Sequence, residues 1–303
     1  MLGFEPDAQG EHDFLYIEKR NSNTQWVARQ LAAIAGVQAR DVGYAGMKDR
    51  HAVTRQWFSV RRPAGDRVDW NAQDIAGVTV KELTRNSRKL RRGAHKGNRF
   101  TIKIKELDKI SEVLYDSLVH MREHGVPNYF GEQRFGHGYR NLGLALALFG
   151  GKRLPREKRS IALSAARSWL FNQFLQQRIE DGGWQTVVAG QIVQLEGSGS
   201  VFEATADVDI QRRCEQLDIH PVLPLWGRSG GSRYLPDAAV SALLQQHDAL
   251  AEGLQQHVDM GLRASRMVVH DLQWVVADDE LTLSFYLGRG GFATALLREI
   301  IHY

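Results

Sequence analysis

The chain has 303 residues, 43% hydrophobic and 24% charged, with a formal net charge of +4. That composition fits a globular protein of one large or two medium domains, and no apolar run approaches the ~20 residues of a membrane span. The start, Met1-Leu2-Gly3-Phe4-Glu5-Pro6-Asp7, lacks the basic and apolar parts of a secretory signal, and the single cysteine, Cys214, excludes an intrachain disulfide or a thiolate zinc cluster.

Phe14 to Lys19 reads as a strand, and Asn23 or Thr24 can cap a helix carrying Val27, Leu31 and Ile34 on one face. Trp57 to Arg61 and Val78 to Val80 are strand-like. Phe100, Ile102 and Ile104 alternate with Thr101, Lys103 and Lys105, which predicts a half-buried strand. A helix is expected from about Ser111, with Ile110, Val113, Leu114, Leu118 and Met121 as its apolar stripe and Gly125 as its stop. Ser160 to Ile179 repeats with helical period through Ala162, Ala166, Leu170 and Phe174, and Asp181-Gly182-Gly183 ends it. Gln191 to Glu196 reads as a strand before the turn Gly197 to Ser200. A second long helix is expected from Asp237, behind Pro236, through Val240, Leu243, Leu244, Leu250, Leu254 and Val258. Strands return at Met267 to His270 and at Leu281 to Leu287, with Asp278-Asp279-Glu280 as the intervening turn rather than a metal site.

The charge is unevenly spread. Arg85, Arg88, Lys89, Arg91, Arg92, Lys96 and Arg99 place seven cations in one segment without an acid. Such a local run suits a phosphate-tracking patch, although a solvated face has the same composition. His95, Asn98 and Phe100 among the cations favour single-stranded or flipped nucleic acid, where an aromatic face stacks on a base while cations hold the backbone.

One stretch points to chemistry. In Gly43-Tyr44-Ala45-Gly46-Met47-Lys48-Asp49-Arg50-His51-Ala52-Val53-Thr54, a glycine turn presents Asp49 between two cations. Lys48 and Arg50 can hold that carboxylate ionised, as a nucleophile or base requires. A surface turn with solvated charges would look the same on spacing alone.

Four strings, in order along the chain, resemble the tRNA pseudouridine synthase D (TruD) family of the bacterial type. They are Gly46 to Thr54, Lys96-Gly97-Asn98-Arg99-Phe100, Val126 to Gly136, and Gly291-Phe292-Ala293-Thr294. The resemblance implies an α+β fold: a pseudouridine synthase catalytic domain of mixed sheet and helices, from 1–124 and 267–303, interrupted by a family-specific α/β insertion domain at 125–266. It implies that uridine becomes pseudouridine in tRNA, at position 13, and that Asp49 attacks or deprotonates the target nucleotide. Nothing is oxidised and no atom is gained, so neither cofactor nor metal is expected. tRNA is the expected partner of a cytoplasmic monomer that does not enter membranes.

The resemblance makes Asn98, Phe100 and Phe292 substrate contacts, with Lys48, Arg50, Arg88, Lys89, Arg91, Lys96, Asn128 and Arg134 supporting the site or touching RNA. From the residues alone, Phe100 is as readily a core residue of its strand as a stacking platform. Phe292 can equally mark a glycine turn into a helix, and Asn128, Tyr129, Gln133 and Arg134 can line a cleft or brace a junction. The family carries a further N-terminal segment, with a substrate-contacting phenylalanine and a lysine supporting the aspartate, whereas this sequence opens on Leu2-Gly3-Phe4-Glu5-Pro6. Two other readings compete. One is an RNA chaperone of the same fold with impaired catalysis. The other is a nucleoside or glycoside hydrolase, which would need Glu132 or Asp41 as a second carboxylate.

Overall fold

Apolar residues on both faces mark the central strand of the N-terminal part. Phe14, Leu15 and Ile17 of β1 (His12–Arg20) are all fully buried. The computed structural model describes residues 2–62, 68–107, 112–205, 208–231 and 234–301. Two compact units emerge, Met1–Arg99 and Phe100–Tyr303.

In the first unit, α1 (Thr24–Ile34) starts at Asn23, whose side chain accepts from the Gln25 amide. After it come β2 (Val42–Tyr44), β3 (Val53–Arg61) and β4 (Val78–Asn86). The sheet has the order β2-β3-β1-β4, and β1 pairs antiparallel with β3 and with β4. Leu15 faces Phe58 across the β1–β3 pair, and Leu15 and Ile17 pack with Val27, Ala28 and Leu31 of α1. Each of these valine, leucine, isoleucine and phenylalanine side chains contributes roughly 1.5–3 kcal/mol when fully buried. On the other face Phe14 packs with Ala45 and Leu90. The strand expected at Val78 to Val80 runs on to Asn86.

The boundary between the units falls within β5 (Gly97–Ile104), whose Phe100, Ile102 and Ile104 are half-buried as alternation predicts. The second unit continues with α2 (Glu112–His124), β6 (Val126–Pro127), α3 (Arg140–Phe149) and α4 (Arg156–Glu180). Next are β7 (Ile192–Leu195), β8 (Val201–Glu203), α5 (Val208–Glu215), β9 (Ile219–Leu225), α6 (Ala238–Gln246) and α7 (Asp248–His257). Last come β10 (Gly261–Ala264), β11 (Arg266–Met267), β12 (His270–Ala277), β13 (Glu280–Gly288) and α8 (Ala293–Arg298). Its sheets are β10-β9-β7-β8, β12-β13-β5 and the β11-β6 pair. A core running through Leu118, Leu170, Phe171, Leu283 and Phe285 joins α2, α4 and β13.

Three expectations shift. Val113 is 72% exposed, so the stripe of α2 is Leu114, Leu118 and Met121; Ile110 and Ser111 lie outside the described residues. The long helix after Asp237 is two helices, because His247 leaves helical geometry at φ −120°, ψ 41°. There the His247 ring meets Trp169 edge-on at 4.6 Å. Gly253 lets α7 press onto Phe149, whose ring lies 2.2 Å from where a Cβ would sit. The strand expected over Met267 to His270 divides into β11 and β12, with Val268 and Val269 buried between them.

A partly buried polar chain ties four elements of the second unit to Glu196, the residue after β7. Glu196 accepts from His220 Nε2 at 2.7 Å and from His270 Nε2 at 3.1 Å. Arg266 Nε donates to His220 Nδ1 at 3.1 Å, and its Nη2 donates to the Cys214 carbonyl at 2.6 Å. Because Nδ1 accepts, the His220 proton sits on Nε2. Burial raises the Glu196 carboxyl, but the two histidine hydrogen bonds outweigh it and hold the group at about 2. The same bond raises His270 above its ordinary 6.5, against burial.

A raised histidine adds stability below its unfolded pKa and loses it as pH rises through the folded value; a lowered carboxyl loses its contribution as pH falls. The stability gap between the parent chain and His270→Ala should therefore be widest between about pH 4.5 and 6.5. It should narrow above that window, and again as Glu196 protonates on the way to about pH 2. Urea unfolding at a series of pH values reads this, and a gap independent of pH would remove His270 from the linkage.

Candidate active site and RNA interface

The loop bearing Asp49 is held from beneath by its backbone. Strand alternation puts Lys19 on the same face of β1 as Leu15 and Ile17, and its side chain is fully buried. Its ammonium donates to the carbonyls of Ser22 at 2.6 Å and Asp49 at 2.7 Å, and more weakly to that of Lys48 at 3.5 Å. The Lys48 amide donates to Thr24 Oγ1 at 3.0 Å, Thr24 donates to Gln56 Oε1 at 3.1 Å, and Gln56 Nε2 reaches the Gly46 carbonyl at 3.4 Å. Gly46 sits at φ +92° with the His95 ring 3.3 Å from the position of a Cβ, so both conformation and space favour glycine. These contacts fix the loop while the Asp49 side chain stays exposed.

The cations that feel the Asp49 charge are Lys48, as expected from the string, and Lys19. Burial lowers the Lys19 ammonium, the Asp49 charge opposes that shift, and Lys48 adds to it. Burial also lowers Lys48, again against Asp49. Arg50 is exposed and makes no ion pair among the described residues. Lys19 was missed as a site residue because it ends an ordinary-looking strand. Its signal was a lysine in register with two core positions. Lys48 Nζ donates to Asn98 Oδ1. That bond orients the Asn98 amide, since a donor-only ammonium must face its oxygen, and leaves Nδ2 without a partner among the described residues.

The basic segment lies flat on the first unit. The Leu90 amide donates to Ser59 Oγ at 3.0 Å, and Gly43 allows the Leu90 carbonyl within 2.3 Å of a would-be Cβ. Arg85 pairs with Asp13 at 3.6 Å, Lys89 donates to the Arg40 carbonyl, and Arg92 lies 5.7 Å from the Tyr44 ring centroid. Arg88, Arg91 and Lys96 are exposed and have no ion pair or side-chain hydrogen bond among the described residues. Those three have every side-chain donor open to an external anion, whereas Lys89 has one donor engaged.

In the second unit, half-buried Phe100 stacks on fully buried Phe285, with centroids 5.3 Å apart and planes at 23°. Phe292 is the residue before α8 and is also half-buried; it leans on Phe130 at 5.8 Å. Arg134 lies 5.2 Å from the Phe130 centroid and 5.7 Å from that of Phe292. Arg263, unremarked in the sequence, lies 4.2 Å from Phe130 and 5.9 Å from Phe292. Asn128 braces this group: its Nδ2 donates to the Ala264 carbonyl at 2.9 Å, and its Oδ1 accepts from Arg263. Tyr129 O–H donates to Gln176 at 2.7 Å, and burial pushes its phenol up to about 12.

A family model described as tRNA pseudouridine synthase D (TruD) matches residues 2–146 and 149–300. The chain is 46% identical over 314 residues to a tRNA pseudouridine synthase D of Methylococcus capsulatus, covering 100% of this chain and 87% of that one. It is 42% identical over 308 residues to the Nitrosococcus oceani protein of the same name, covering 99% and 86%. A solved structure from Methanosarcina mazei, assigned to tRNA pseudouridine synthase D (TruD), superposes with a TM-score of 0.78 at 19% identity, over 99% of this chain and 90% of that one. That last likeness speaks for the fold, the expected α+β pseudouridine synthase architecture. With the family model spanning nearly the whole length and two curated relatives above 40% identity over 99% or more of the chain, this chain belongs to the tRNA pseudouridine synthase D family.

Proposed function

We propose that this chain isomerises uridine to pseudouridine in tRNA, at position 13, with Asp49 as the attacking or proton-accepting carboxylate. The observation that carries the reading is an exposed aspartate on a loop whose backbone is pinned by the buried Lys19. A reaction that breaks the N-glycosidic bond, turns the uracil and rejoins it through carbon needs a carboxylate near the sugar, a pocket retaining free uracil and a way to unstack the base. In this reading Asn98 Nδ2 donates to a uracil carbonyl, Phe100 and Phe292 offer ring faces to the base, and Lys48 and Arg50 surround the carboxylate. Arg88, Lys89, Arg91 and Lys96 hold phosphates, offsetting the few kcal/mol that extrusion of a stacked uridine costs. The work belongs in the cytoplasm, beside tRNA.

The same reading takes residues 125–266 as an insertion into a catalytic domain made from 1–124 and 267–303. Pairing of β5 with β13 supports it, since that sheet joins residues on either side of the insertion. An impaired chaperone would have no use for a carboxylate presented so rigidly. For a hydrolase, Asp41 is a poor second acid, because its Oδ2 accepts from the Gln38 amide at 3.3 Å within a local turn.

Asp49→Asn keeps the shape of the side chain but removes its nucleophilicity and basicity. Pseudouridine formed on unmodified tRNA should disappear while melting temperature and tRNA affinity stay near parent values; a parent-like yield would remove Asp49 from the mechanism. Neutralising Arg88, Lys89, Arg91 and Lys96 together should weaken tRNA binding across sequences. For every phosphate no longer neutralised, the slope of log affinity against log salt should fall by roughly 0.7 to 0.9. An unchanged slope would place RNA elsewhere.

Phe100→Ala separates platform from core. A fully buried phenylalanine costs about 3–5 kcal/mol on truncation to alanine. Phe100 is half-buried, so the loss of global stability should fall short of that range. Loss of stacking should add on the order of 1–3 kcal/mol in substrate engagement. Melting and single-turnover kinetics on one variant read both. A rate loss no larger than the unfolded fraction explains would leave Phe100 as core alone.

A further inference from the structure

Arg134 and Arg263 share one aromatic bed. Both guanidinium groups lie over Phe130 and Phe292, at 5.2 and 4.2 Å from the first centroid and 5.7 and 5.9 Å from the second. Neither has an ion pair among the described residues. Two like charges drawn out of water without an acid are costly, and ring faces with neutral carbonyls compensate only in part. Burial lowers both groups, and the charge of Arg134 lowers Arg263 further.

Their donors are only partly used. Arg263 Nε and Nη2 donate to the Asn128 carbonyl at 3.3 Å each, and Nη2 also reaches Asn128 Oδ1 and the Gly290 carbonyl, the latter at 3.1 Å. Arg134 Nη1 donates to Ser164 Oγ at 2.8 Å. Arg263 Nη1 and Arg134 Nε and Nη2 have no partner among the described residues, and none is sealed from solvent. Beside them, Phe292 is half-buried.

We infer that Arg134 and Arg263 form an oxyanion site of the second unit that takes a phosphodiester group of the RNA beside Phe292. A tetrahedral oxyanion matches the planar guanidinium forks, supplies acceptors for the three idle donors and neutralises the like-charge pair. The RNA half of this assignment rests on the tRNA-modifying function proposed above; the anion site itself does not.

The full chain is melted in sodium phosphate and in sodium chloride at equal ionic strength, and the phosphate increment in melting temperature is compared across the parent, Arg134→Gln and Arg263→Lys. Taking the increment within each variant cancels any general loss of stability. The parent should show a saturable increment. Arg134→Gln should abolish it, and Arg263→Lys, which keeps charge but loses the fork, should reduce it. An absent parent increment, or equal increments in all three proteins, overturns the site.

A second arm measures tRNA affinity against salt. For Arg134→Gln the log–log slope should fall by about 0.7 to 0.9 if the occupant is an RNA phosphate. An abolished increment with an unchanged slope would assign the site to free phosphate and overturn its RNA half. Asp49→Asn should keep the full increment whether or not it forms pseudouridine, so failure of the catalytic reading and failure of this site are told apart.

Discussion

Lys19 carries an ammonium group into the core of the first unit, and much of the candidate active site hangs from it. A buried charge costs several kcal/mol unless its surroundings replace water. Here carbonyl oxygens of Ser22 and Asp49 do so at 2.6 and 2.7 Å, and the Asp49 carboxylate supplies the opposing charge. The arrangement works only if the loop closes over the lysine. The loop conformation is thereby tied to β1, a strand paired on both edges. The geometry of the Asp49 loop and the integrity of the sheet become one constraint. The same contact leaves the Asp49 side chain free, because the lysine holds its backbone.

Positive charge is handled in two physically distinct ways. On the first unit Arg88, Arg91 and Lys96 remain exposed, where water screens them and affinity for anions falls with salt. In the second unit Arg134 and Arg263 lie on aromatic rings, partly desolvated, where each interaction is stronger and less sensitive to salt. The exposed group suits long-range attraction of a polyanion. The half-buried group suits fixing one group in one place.

Legibility followed from how local each signal was. β1, α1, α4 and β13 were readable because period and caps lie within the segment. The break at His247 was not: the ring it meets there, Trp169, and the Phe149 ring against Gly253 are both distant in sequence. Asp49 stood out through its string, whereas Lys19 was hidden: lysine in a strand is common, and only its register with Leu15 and Ile17 marked it. Arg263 had no sequence signal at all. Its role arises from Asn128 and Phe130, more than a hundred residues earlier. Phe100 was ambiguous for a physical reason, since a half-buried ring on a core strand carries both signals.

That ambiguity is itself informative about how an aromatic platform is built. A ring free to rotate in solvent would lose entropy on stacking against a base, and the loss would subtract from affinity. Phe100 is backed by Phe285, which is fully buried, and Phe292 leans on Phe130, which meets buried Phe171 edge-on at 5.5 Å. In each case a half-exposed ring rests on an inner one held by the core. The order is already present before any ligand arrives, because folding has supplied it. On the proposed reading, core and platform are successive layers of one packed structure, and Phe100 belongs to both.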